Sequence, residues 1–92
     1  MEFQWDTANQ SHLARYRVTP EVVREVASVE PEFFLNEGGG SGTHMMIGPD
    51  ESGHLYTIIL LEIGSDLWRP ITGWSSDGPE RAMYRQERLR HD

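Results

Sequence analysis

The sequence predicts an α+β domain in which helices pack on a mostly antiparallel sheet of four or five strands. Two features support this prediction. The local patterns follow the order β-α-α-β-β-β-β-α, and short turns join the strands of the second half. Residues 56–63 are almost continuously apolar, which is typical of a central strand covered on both faces. The chain has 92 residues, so we expect a single domain, 1–92.

The first half of the chain contains signals for one short strand and two helices. Alternating polar and apolar side chains at 2–5 predict the strand. Asp6 is a favourable N-cap for a helix over roughly 7–16. The pair Thr19-Pro20 supplies a cap and a first helical residue for a second, amphipathic helix that ends near Ser28.

The second half reads as a series of strands followed by a helix. Short apolar runs separated by turn residues predict strands at 33–35, 43–48, 54–63 and 67–74. Asp77 is the expected cap of a final helix over roughly 78–90. The glycine-rich stretch Gly38–Gly42 is either a native hairpin loop or an engineered linker, and the sequence leaves both open.

The predicted core follows from this arrangement. A central strand over 54–63 must be covered on both faces, by helices on one and by aromatic residues or a partner chain on the other. The residues expected to be largely buried are Trp5, Val22, Val26, Phe33, Ile58, Ile59, Leu60 and Leu61.

Composition excludes several classes of function. The net charge is −7, but residues 67–92 carry five Arg against four acidic residues, so any anion site is expected in the C-terminal third. A general coat for polyanions is not expected from an acidic chain. The absence of Cys excludes a disulfide and a thiolate metal site. No apolar run reaches the roughly 18 residues of a membrane span, and we expect a cytoplasmic protein that does not contact a membrane.

An acid–base pair is the main candidate for chemistry. Glu62 ends the long strand and Arg69 begins the next, so their side chains are expected to be cross-strand neighbours within about 4 Å. Such a pair is either a structural ion pair or a base and cation that act on a phosphodiester. None of the four His lies four residues from another, so the sequence predicts no metal site and no cofactor.

Several short motifs occur in an order and spacing that resemble one family. The motifs are Phe3-x-Trp5-Asp6, His12-Leu13-x-Arg15-Tyr16-x-Val18-Thr19, Ile47-Gly48, Gly53-His54-Leu55, Arg69-x-Ile71-Thr72 and Glu80-Arg81-x-x-Tyr84. Together they resemble BrnT, the toxin of a bacterial type II toxin–antitoxin pair, over nearly the whole chain in scattered matches. The resemblance implies a RelE-like ribonuclease fold, RNA cleavage without a metal and a cognate antitoxin as partner. It leaves a homodimer open.

The resemblance also implies roles for individual residues. Glu62, or His44 as the other candidate, would act as the base on the RNA 2′-hydroxyl. Arg15, Arg69 and Arg81 would hold the phosphate and its developing charge.

A second reading comes from a departure from the family pattern. The family has an Arg pair after the last strand, whereas this chain has Trp74-Ser75. The alternative is therefore a non-catalytic, partner-binding module of the same fold that has lost its active-site cations. In that reading Trp68 and Trp74 would be interface anchors, a role that aromatic residues often fill.

Overall fold

The architecture is a five-stranded mixed sheet with three helices, seen in a computed structural model that describes residues 1–38 and 40–91. The strands are β1 (Glu2–Phe3), β2 (Glu32–Leu35), β3 (His44–Pro49), β4 (Leu55–Gly64) and β5 (Leu67–Ser75). The helices are α1 (Thr7–Ala14), α2 (Pro20–Val29) and α3 (Gly78–Arg90). The predicted α+β class and the number of strands are confirmed.

The strand order β1-β5-β4-β3-β2 places the predicted long strand β4 at the centre of the sheet. The chain starts at one edge, crosses one face as α1 and α2, and reaches the other edge at β2. It then returns strand by strand, so β2 to β5 pair antiparallel with their neighbours. β1 instead pairs parallel with β5, at Glu2–Leu67 and Phe3–Trp68, which makes the sheet mixed.

Each helix begins at the cap that the sequence predicts. The side chains of Asp6, Thr19 and Asp77 accept hydrogen bonds from the backbone N–H three residues ahead. Asp6 and Asp77 are also in capping boxes, because the third residue of the helix bonds back to the backbone N–H of the cap. These caps satisfy N–H groups that have no partner inside a helix.

Helix α1 is shorter than predicted because the chain turns sharply after it. Arg17 has a φ of 63°, in the left-handed region that usually favours glycine. Its N–H bonds to the carbonyl of Ala14, and the N–H of Val18 bonds to that of Leu13. This is the Schellman arrangement, and it directs the fully buried Val18 into the core.

The core lies between the sheet and the first two helices. Its fully buried members are Leu13, Val18, Val23, Val26, Met46, Ile58 and Leu60. The predicted burial of Val26, Ile58, Ile59 and Leu60 is confirmed, whereas Trp5, Val22 and Leu61 are half-buried. The prediction for Phe33 is wrong: its side chain is 43% exposed, because β2 is an edge strand with no further element beside it.

The opposite face of the sheet is covered by α3 and by the glycine-rich loop. Glu80, in the first turn of α3, accepts hydrogen bonds from Thr57 and from the Trp74 indole. Gly42 lies so close to Ile59 that a Cβ would collide with its Cγ2 atom. Within the predicted loop Gly38–Gly42, Gly39 lies outside the described residues. In the described part of the chain, no helix has the length and apolarity that a membrane span requires.

Candidate functional site

The predicted Glu62–Arg69 pair does not form. Glu62 lies opposite Trp68, and Arg69 lies opposite Leu61, so the two side chains are not directly paired across the strands. The physical reason is an irregularity between Glu62 and Gly64, which shifts the register of the β4–β5 hairpin by one residue. A shift of this size moves a side chain to the other face of a sheet.

Arg69 instead forms a closed ion pair with the start of α1. Its Nη1 and Nη2 atoms lie 2.9 and 3.2 Å from the two carboxylate oxygens of Asp6. Nη1 also donates to the side-chain oxygen of Gln4, at 3.1 Å. The bonds from Arg69 lower the pKa of Asp6 below its ordinary value. The guanidinium is therefore already neutralised within the chain.

Glu62 and His44 lie at the same end of the sheet. The backbone N–H of Glu62 donates to Thr43 Oγ1 at 2.9 Å, and His44 Nδ1 lies 2.9 Å from that same oxygen. The His44 ring also meets the ring of Trp68 edge-on, with centroids 5.0 Å apart. Both predicted bases are thus brought together, but without any of the predicted Arg side chains in an observed contact with them.

Arg15 and Arg81 lie at the other end of the sheet. Helix α1 runs along β5, because Asn9 bonds to the carbonyl of Pro70 and His12 bonds to Thr72. Arg15, the C-cap of α1, therefore lies toward the end of β5, and Arg81 Nη1 donates to the carbonyl of Ser76 just beyond that strand. Six residues of β4 separate the two ends, about 20 Å at the rise of a strand. The five predicted residues do not form one site.

A cluster that the sequence analysis did not single out occupies the end where β5 finishes. We call it the β5-end cluster, and its members are Arg17, His54, Tyr56 and Ser75. His54 Nε2 lies 2.7 Å from Ser75 Oγ, and the His54 ring packs edge-on against Tyr56 at 4.6 Å. Tyr56 and Ser75 are directly opposite each other in the β4–β5 pairing. The cluster thus holds an imidazole against a hydroxyl at the surface.

His12 makes separate contacts, with Tyr16 and with β5. Its Nε2 atom is 3.1 Å from Thr72 Oγ1, and its ring packs against that of Tyr16 with centroids 5.7 Å apart. Thr72 and Ser75 are three residues apart on β5, about 10 Å along a strand. Because side chains alternate between the two faces of a strand, positions three apart point to opposite faces, so the two imidazoles bond to different sides of β5.

Arg17 supplies positive charge to the cluster from a left-handed backbone conformation. A left-handed non-glycine residue costs about 1–2 kcal/mol. Partial burial and nearby acidic groups raise the pKa of Tyr56, whereas Arg17 acts in the opposite direction. Tyr56 therefore keeps its phenolic proton at neutral pH and remains a hydrogen-bond donor.

The cluster has the groups for proton transfer near an anion. An imidazole exchanges a proton near neutral pH, and Arg binds phosphate oxygens. For metal binding, the described residues contain one suitable group, formed by Glu32, Glu87 and His91 at the β2 edge of the sheet.

The sequence contained a signal for the β5-end cluster. The motifs around His12 and around His54 both contribute to the family resemblance, but they are 42 positions apart in the numbering. In the structure His12 bonds to Thr72, and His54 bonds to Ser75 three positions further along β5. No known family profile matches the chain, and no curated protein matches it either.

Proposed function

We propose that this chain is a BrnT-like toxin with a metal-independent ribonuclease activity, neutralised by a cognate antitoxin. The observation that supports the proposal best is the 2.7 Å contact between His54 Nε2 and Ser75 Oγ, at an exposed position beside Tyr56. The motif Gly53-His54-Leu55, which contributes to the family resemblance, supplies the imidazole of this contact, and this favours a chemical role over a coincidence of composition.

The proposed reaction needs a base, an acid and cations. His54 takes the proton from the RNA 2′-hydroxyl, and the resulting oxygen attacks the adjacent phosphorus. The bond from phosphorus to the 5′-oxygen breaks, and that leaving oxygen takes a proton from water. The products are a 2′,3′-cyclic phosphate and a 5′-hydroxyl, so every proton is accounted for.

The cations come from around the cluster. Arg17 lies within it, and Arg15 and Arg81, both expected from the sequence, lie at the same end of the sheet. Their positive charge stabilises the charge that develops on the phosphate oxygens. Glu62, His44 and Arg69 take no part in this step, because they lie at or near the opposite end of the sheet.

The test is cleavage of single-stranded RNA by the purified chain in the presence of a chelator. We expect His54→Gln to lower the rate at least 100-fold, since general-base catalysis contributes about 10²–10⁴-fold. Glu51→Gln, in the same exposed turn, is the matched control and should retain the wild-type rate. Activity that survives in His54→Gln and disappears in Glu62→Gln would place the chemistry at the other end of the sheet.

A cellular experiment tests the toxin assignment. Expression of the chain alone should arrest growth, and co-expression of the neighbouring gene should restore it. His54→Gln should abolish the arrest while the protein still accumulates and still binds its antitoxin. A wild-type chain that neither cleaves RNA nor arrests growth would overturn the proposal.

A non-catalytic partner-binding module is the second candidate, and the open edge of β2 favours it. The Asn36 N–H donates to the carbonyl of Thr43, next to β3. Backbone groups alternate in direction along a strand, so those of Phe33 and Leu35 point away from β3, at the open edge of the sheet. The Leu35 side chain is 67% exposed. An extended segment of a partner can pair with such an edge. In this case Leu35→Lys would abolish binding of the partner, and neither the wild type nor any variant would cleave RNA.

A further inference from the structure

The last turn of α3 and strand β2 bring together three side chains that can bind a metal. Glu87 and His91 are four residues apart, so they project from the same side of the helix end. Glu32 reaches them from β2, and its side chain is only 8% exposed. One ligand atom from each of the three residues lies within 4.8 Å of the other two.

The two distances from His91 suit a single small ion. His91 Nε2 is 3.1 Å from Glu32 Oε1 and 3.6 Å from Glu87 Oε2. Ligands that bind Zn²⁺ at about 2.1 Å in a tetrahedron are about 3.4 Å apart, between these two values. The two carboxylate oxygens lie within 4.8 Å of each other, so a small side-chain adjustment would bring the three atoms onto one face of such a tetrahedron and leave a fourth position for water.

The second oxygen of each carboxylate lies near an Arg side chain. Arg88 Nη1 lies 3.2 Å from Glu32 Oε2, the oxygen that does not face His91. Arg90 Nη1 lies 3.5 Å from Glu87 Oε1, which again is the oxygen turned away from His91. Glu32 thus has one oxygen bonded to Arg88 and the other directed at the imidazole, whereas Glu87 has only a longer ion pair with the exposed Arg90. Outer partners of this kind orient the ligands of metal sites.

We propose that Glu32, Glu87 and His91 form a binding site for one divalent first-row transition ion of the Zn²⁺ type. The imidazole selects such ions over Mg²⁺ and Ca²⁺, which prefer oxygen ligands. The ion binds an unprotonated imidazole nitrogen and ionised carboxylates, so it competes with protons for these ligand atoms.

Binding would fasten the end of α3 to an edge strand. Arg88 Nη2 already pairs with Glu30 at 2.8 Å, and the Tyr84 hydroxyl donates to the carbonyl of Glu30. Glu30 caps the end of α2, two residues before Glu32, so an ion at this place would add a direct link from α3 to β2 beside these contacts. The site is independent of the proposed ribonuclease, which uses other residues and no metal.

The experiment is a titration of the tag-free, chelator-treated chain with Zn²⁺ by calorimetry and with Co²⁺ by visible absorption. We expect one ion per chain, a Co²⁺ spectrum typical of four-coordinate geometry, and a higher melting temperature with either ion. His91→Ala and Glu87→Gln should each weaken binding at least tenfold. Mg²⁺ in large excess should not displace the bound ion.

Two controls separate this site from others. His44→Ala removes an imidazole outside the cluster and should keep the wild-type affinity. Circular dichroism should show that His91→Ala retains the fold, because the side chain is 58% exposed. The proposal is refuted if no saturable binding at one ion per chain occurs. It is also refuted if His44→Ala weakens binding as strongly as His91→Ala, or if both cluster variants bind as tightly as the wild type.

Discussion

Glu80 connects the start of α3 to the sheet, and its removal is the most informative test of the fold. Its Oε1 atom accepts hydrogen bonds from Thr57 Oγ1 at 3.1 Å, Trp74 Nε1 at 3.0 Å and the backbone N–H of Asp77 at 2.9 Å. Thr57 is fully buried and Trp74 is half-buried. Glu80→Ala therefore removes one acceptor from three donors at once.

The expected loss can be worked out contact by contact. A buried indole N–H without an acceptor costs about 1–3 kcal/mol. Loss of a capping interaction at Asp77 adds about 0.5–2 kcal/mol. Thr57 keeps its bond to Ser76 Oγ at 2.8 Å, so its hydroxyl adds little. We expect Glu80→Ala to lower the free energy of unfolding by about 2–4 kcal/mol, out of roughly 5–15 kcal/mol for a domain.

Urea unfolding followed by circular dichroism measures this loss. A change of 1 kcal/mol lowers the melting temperature by about 4–8 °C in a domain of this size. Glu80→Gln keeps an acceptor oxygen and loses only the charge at the helix start, so we expect a loss of about 1 kcal/mol. The exposed Gln86→Ala is the control on the same helix. A loss below about 1 kcal/mol in Glu80→Ala, or one equal to that of Gln86→Ala, would refute the reasoning.

Three further predictions concern the core, one ion pair and one turn. Leu60→Ala should lower the free energy of unfolding in urea by about 2–5 kcal/mol, because Leu60 is fully buried. Leu89 is 71% exposed, so Leu89→Ala should lower it by less than about 0.5 kcal/mol. Equal losses would contradict the assigned core. Arg69 lowers the pKa of Asp6, so their bond stabilises the fold above about pH 4 and is lost as the pH falls through the lowered pKa. Urea midpoints from pH 5 to 2 should fall more in the wild type than in Asp6→Asn, and parallel curves would exclude this linkage. Arg17→Gly should raise the free energy of unfolding by roughly 0.5–1 kcal/mol, because the relief of the left-handed backbone exceeds the added entropy of the unfolded chain. The same change should slow RNA cleavage. An unchanged cleavage rate would remove Arg17 from the proposed site.

Local signals in the sequence were sufficient for the individual elements. A helix start depends on a cap and the few residues after it, so Asp6, Thr19 and Asp77 identify all three helices. A central strand must be apolar on both faces, so the run at 56–63 identifies β4 and its place in the sheet. The acidic balance and the absence of Cys are likewise properties of the composition alone.

Only the tertiary structure decided the register of the strand pairs and which distant side chains come into contact. The irregularity after Glu62 separates it from Arg69, because one residue of slip in a hairpin reverses the faces of the side chains. The exposure of Phe33 depends on β2 lying at an edge, which its own residues do not reveal. His54 meets Ser75, and Glu32 meets His91, across distances in the chain that no local pattern spans. Sequence determines what each segment can form, whereas the packing of segments decides which side chains share a site.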